Sequence, residues 1–225
     1  MTFRKKLGYS FVILVVLQLF VFSNNANAHA IDLSKFSKSD VALIYMKLGF
    51  EHIIPLGLDH ILFVLSLFFL SHKLKTIIWQ ATAFTVAHSI TLGLAMYGVI
   101  SPPTYIVEPV IALSIMFIAV ENIISDKLRP SRILIVFAFG LIHGMGFASV
   151  LTELGLPQNQ FLSSLLAFNI GVELGQITVI LLAWILVVKW FHQKTWYRER
   201  IVVPISAIIA IVALYWTVER TFFQL

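Results

Sequence analysis

Six stretches of the chain are nearly free of charge and long enough to cross a lipid bilayer, at about 52–71, 74–97, 104–125, 132–152, 160–190 and 201–223. Each approaches the ~20 residues a helix needs to traverse the hydrocarbon core. Short polar linkers separate them. The pattern predicts an all-α, polytopic membrane helix bundle with six transmembrane helices. The fifth stretch is long enough to tilt or to project beyond the bilayer. Residues 29–50 are mixed in character, and 40–49 can form an amphipathic helix lying on the outer membrane surface. Residues 1–28 carry a basic start (Arg4, Lys5, Lys6), a short apolar core at 7–22 and a small-x-small site, Ala26-Asn27-Ala28. This is the pattern of a cleavable signal peptide; an uncleaved anchor helix is the rival reading. The chain thus divides into a signal peptide (1–28), an extracytoplasmic segment (29–50) and a transmembrane domain (51–225). Cleavage would leave His29 as the first residue, where an α-amine beside an imidazole can chelate a metal, the plain alternative being a disordered terminus.

Composition and charge then set the orientation. The chain is 59% hydrophobic and 12% charged, with a formal net charge of +5. A soluble domain would be about a quarter charged. The cations sit in alternate linkers: Lys73 and Lys75, then Lys127, Arg129 and Arg132, then Lys189, Lys194, Arg198 and Arg200. The intervening linkers, Ser101-Pro102-Pro103 and 152–160, carry none. By the positive-inside rule the basic linkers face the cytoplasm, with both mature termini outside. The expected location is the cytoplasmic (inner) membrane, and the expected surroundings are the lipid bilayer. The basic character is topogenic, which argues against a nucleic-acid partner. Without cysteine there is no thiolate site, so any metal must be held by nitrogen and oxygen. The number of chains in the assembly is left open.

Against this apolar background the ionisable residues stand out. Gly57-Leu58-Asp59-His60 lies inside the run 53–70. A central Asp costs roughly 2.5–3.5 kcal/mol on the lenient insertion scales, so such residues face an interior or a wet cavity. Asp59, His60, His88, His143 and Glu173 all fall within about 5 Å of the midplane at 1.5 Å per residue. His52 and Asp59, seven apart, share a helix face, with Pro55 and Gly57 available to bend it. Asn169, Glu173 and Gln176 form one polar stripe; Thr85, His88 and Ser89 cluster on another helix. Gly140, Gly144 and Gly146 surround His143 and permit close helix approach. The metal-ligand candidates are therefore His52, Asp59, His60, His88, His143 and Glu173. Glu108, Glu121, Ser89, Asn169 and Gln176 are candidates for a pathway or for orienting the ligands. Imidazole with carboxylate suits nickel, cobalt or zinc among divalent ions. Glu51 and His52 at the outer mouth, the cluster at mid-depth and Glu121 with Asn122 inward make a ladder suited to cation passage.

Four motifs, Gly57-Leu58-Asp59-His60-Ile61-Leu62-Phe63, 83–92 around His88, 139–148 around His143 and 168–176 around Glu173, resemble the HupE/UreJ membrane proteins over about 48–180. The resemblance implies uptake of nickel, and in some members cobalt, for metalloenzymes. It carries Asp59, His60 and His143 over as functional residues. The spacing His52-x6-Asp59-His60 is one residue longer than the family's, and Gly140 and Ala148 stand where the family has His and Glu, marking a divergent branch. The expected function is a secondary transporter of a divalent metal ion, not an enzyme. The alternative is a zinc-dependent intramembrane hydrolase using the same cluster, with Ser89 or a carboxylate assisting a metal-bound water.

Overall fold

The computed structural model describes residues 36–148, 151 and 160–223. The expected signal peptide, His29 and most of the outer linker at 152–160 lie outside the described residues. All regular structure among the described residues is helical: α1 (Lys38–Ile53), α2 (Leu58–Phe68), α3 (Leu74–Met96), α4 (Thr104–Ile124), α5 (Arg132–Gly146), α6 (Phe161–Ala183) and α7 (Val203–Phe222). A π-helical stretch, Trp184–Val188, and a last turn, Lys189–Phe191, prolong α6; a second π-helical stretch, Arg198–Val202, leads into α7.

Four of these helices are long and apolar enough to span a membrane, and the pair α1 and α2 makes a fifth if taken as one broken span, bent by 68°. The segment expected at 132–152 gives only the 15-residue α5. At 1.5 Å per residue that is roughly 22 Å, short of the ~30 Å hydrocarbon core. Six full spans are thus not what the described residues display.

The first expected span differs most from its sequence pattern. Ser37 starts α1 with a capping box: its Oγ accepts from the Asp40 amide at 3.2 Å and its own amide donates to the Asp40 carboxylate at 3.3 Å. This capped helix does not lie apart as a surface helix. It packs along α6, where a Cβ on Gly49 would collide with the Phe168 carbonyl and one on Gly171 with the Met46 carbonyl. Two backbones in contact need such hydrogen-sized side chains. α1 ends at Ile53 because Pro55, joined to Ile54 by a cis bond, has no N–H with which to continue the ladder. The chain turns at Gly57, where a Cβ would strike the His52 carbonyl, and restarts as α2.

α2 forms the centre. His60, Phe63, Val64, Ser66, Leu67 and Phe68 are buried on it, against α3, α4 and α6. Around it the helices pair closely: α1 with α6, α3 with α5, and α4 with α7. Outward-facing apolar residues step by four along α6 (Leu162, Leu166, Ile170, Leu174) and recur on α7 (Ile208, Ile211, Leu214, Val218). A continuous apolar exterior of this kind belongs against lipid.

Candidate metal centre

Three imidazoles converge where α1, α2 and α3 meet. His52, His60 and His88 each offer a ring nitrogen, and these atoms lie within 4.8 Å of one another. Ring centroids are 4.6 Å apart for His52 and His60, and 5.7 Å for His60 and His88. His143, on α5, brings a fourth ring 5.3 Å from His60. Nε2 of His52, His60 and His88 and Nδ1 of His143 are buried with no hydrogen-bond partner. An orphaned polar atom in such surroundings costs about 1–3 kcal/mol, and four of them in one place would be wasteful without a ligand.

The hydrogen bonds of the other ring nitrogens explain which lone pairs are free. Asn169 on α6 donates its amide to the Leu165 carbonyl at 2.8 Å, which turns its Oδ1 toward His88 Nδ1 at 3.3 Å. That oxygen can only accept, so Nδ1 carries the proton and Nε2 the lone pair. The Ser114 hydroxyl donates its one hydrogen to the Ile111 carbonyl at 2.6 Å, so at 2.9 Å it accepts from His143 Nε2. Nδ1 of His143 is then the free lone pair. A second partner that fixes the tautomer is the usual support of a ligating histidine.

Helix contacts hold the rings in place. A Cβ on Gly144 would collide with the His88 carbonyl and the Thr91 hydroxyl, and one on Gly140 with the Phe84 carbonyl. α5 therefore lies directly on α3, bringing His143 toward His88. Aromatic rings close the site: Phe147 stands 3.8 Å from His52, Phe84 4.9 Å from His143 and Phe63 5.2 Å from His143, centroid to centroid.

The expected ligand set divides here. The two carboxylates are engaged elsewhere. Asp59 receives a two-pronged hydrogen bond from Arg220 of α7, at 2.8 and 3.2 Å. Glu173 accepts from the hydroxyls of Thr82 and Thr85, and Gln176 Oε1 lies 3.3 Å from the same Thr85 hydroxyl. Since the break at Pro55 restarts the helical phase, His52 does not share a face with Asp59; it meets His60 instead. Ser89 donates to the Thr85 carbonyl at 2.6 Å. Glu108 supplies a main-chain carbonyl to Arg220 at 3.4 Å.

Glu121, expected as an inward oxygen ligand, forms an ion pair with Arg132 at 3.3 Å. Arg132 is not a linker cation: it is only 1% exposed. Its guanidinium donates to the Asn122 side-chain oxygen at 3.3 Å and the Ser66 carbonyl at 3.2 Å, tying α5 to α4 and α2. Sequence reasoning missed both Arg132 and Arg220. The signal for Arg220 was Asp59 itself, a carboxylate inside an apolar run that required a cation.

Apolar helices with a buried imidazole cluster define an integral membrane protein with a polar site inside its bundle. The chain belongs to the HupE/UreJ family, whose model, described as HupE / UreJ protein, matches residues 12–220. Comparison with curated proteins and with solved structures finds no match.

Proposed function

We propose that the chain is a secondary transporter for a divalent transition-metal ion, nickel or cobalt in the finer reading, and that His52, His60, His88 and His143 bind the ion in transit. One observation carries this reading: three imidazoles with ligand atoms within 4.8 Å, each with a buried nitrogen lacking a partner. Membership of the HupE/UreJ family supports metal transport in general. Sulfur-free imidazole donors suit nickel, cobalt or zinc.

The charge balance favours passage over permanent residence. Asp59, the carboxylate next to His60 in sequence, is already matched by Arg220. A divalent ion entering among uncharged imidazoles would keep its full charge in a low-dielectric interior, where unpaired charge is expensive. Binding is then strong enough to replace hydration and weak enough to release, as conduction requires. The Ser89 hydroxyl is committed to a backbone carbonyl, which weighs against its use in a hydrolase.

The test is uptake of nickel and cobalt in cells that lack their own importers of these metals. Expression of the chain should raise accumulation. His60→Ala and His88→Ala should each reduce it by at least the roughly 10–100-fold that loss of even an outer partner of a metal ligand costs. Unchanged accumulation in both variants at equal protein level would overturn the proposal.

A further inference from the structure

At the other end of α2 from His60, a second pair of histidines flanks a cavity. His72 follows α2 and His192 follows the prolonged α6, with ring centroids 5.5 Å apart and ring planes inclined by 29°. The cavity, of about 160 Å³, is also lined by Asp126, just beyond α4, and by Ser71, Tyr197 and Arg198. Two imidazoles on one tetrahedral ion, with metal–nitrogen bonds of about 2.1 Å, have ring centroids on the order of 5 Å apart. The observed spacing is close to that.

Two features of the surroundings suit a cation. His192 Nδ1 donates to the Val188 carbonyl at 2.7 Å, which leaves Nε2 as the lone pair available to a ligand. Asp126 brings a carboxylate to the same wall. Arg198, the one guanidinium on the wall, is held by the Ile123 carbonyl at 2.9 Å. Burial pushes the Tyr197 phenol up to about 12, so it remains an uncharged hydroxyl. Trp184 Nε1 donates to the His72 carbonyl at 3.4 Å and fixes the linker that carries the imidazole.

We infer that His72 and His192, facing a cavity that Asp126 also lines, form a second binding site for a divalent transition-metal ion, at the basic end of the bundle. Its role as a receiving site, where the ion pauses before release, rests on the transport reading above; its ability to bind does not.

The test uses the purified full-length chain in detergent and nickel alone as the probe. Histidine modification by diethylpyrocarbonate is read residue by residue by mass spectrometry, with and without nickel, and bound nickel per chain is counted after dialysis. Nickel should protect His72 and His192 in the wild-type chain. Protection should persist when His52, His60 and His88 are all replaced by Ala. The double variant His72→Ala/His192→Ala should lose one bound nickel per chain. Equal modification of His72 and His192 with and without nickel would overturn the site, and so would an unchanged nickel count in the double variant. If uptake fails while protection persists, the transport reading falls and this site stands.

Discussion

His143 and His88 illustrate what a buried imidazole needs before it can act as a ligand. Each has one nitrogen engaged by a side chain whose own hydrogen bond leaves no choice of role: Ser114, committed to Ile111, and Asn169, committed to Leu165. The other nitrogen is left buried without a partner. Glu121 follows the opposite logic. Its position suggested an ion ligand, yet its charge is spent on the buried Arg132. Glu121→Gln should therefore act on stability. It leaves a buried guanidinium short of its counter-charge, a loss on the order of 3 kcal/mol, read as a lower melting temperature in detergent and a lower folded yield. Uptake per folded molecule should be unchanged. A variant with normal stability and slowed uptake would return Glu121 to the ion path. At this scale the sequence revealed depth and residue type. It did not reveal which way a side chain faces, so Asp59 and Glu173 read as ligands although Arg220 and the two threonines hold them. Arginines near segment ends were read as interfacial, because a long side chain can reach several ångströms from its Cα.

At the scale of elements, the site depends on glycine contacts that let helices touch and on one break that lets a helix fold back. The break was visible as Pro55 and Gly57, but a bend and a full restart have the same signature in sequence. That difference moved His52 from the outer mouth into contact with His60. The glycines make a sharper prediction. A Cβ at Gly144 would meet the backbone of His88, which cannot yield without moving α3. A Cβ at Gly146 would come 2.7 Å from Ile111 Cδ1, the flexible end of a side chain. Gly144→Ala should cost about 1–3 kcal/mol, the usual range for overpacking, and should weaken nickel binding as His143 and His88 separate. Gly146→Ala should change both far less. Thermal unfolding in detergent and a nickel titration of the two variants check this. Equal effects would mean that the α3–α5 contact does not set the site.

For the whole molecule, hydrophobic periodicity made the helical membrane architecture legible, and the alignment of His60, His88 and His143 in depth followed from it. The pairing of helices was not legible. Nothing in the sequence says that α7 packs on α4 and delivers Arg220 to Asp59, or that α2 and the prolonged α6 end together and bring His72 to His192. Such contacts join residues more than a hundred positions apart and are fixed only when the bundle closes. In the assembled fold, an uncharged imidazole cluster is sealed by aromatic rings at one level. Below it lies an arginine-centred network, and beyond that a histidine-lined cavity at the basic end. Transport through this bundle depends on the cluster binding the metal. X-ray absorption on the nickel-loaded chain, with His72 and His192 replaced by Ala so that only the central rings contribute, tests this most directly. It should give a nitrogen shell at about 2.1 Å with imidazole multiple scattering, lost on His60→Ala. A shell of oxygen alone, or an imidazole signal that survives His60→Ala and His88→Ala together, would contradict it.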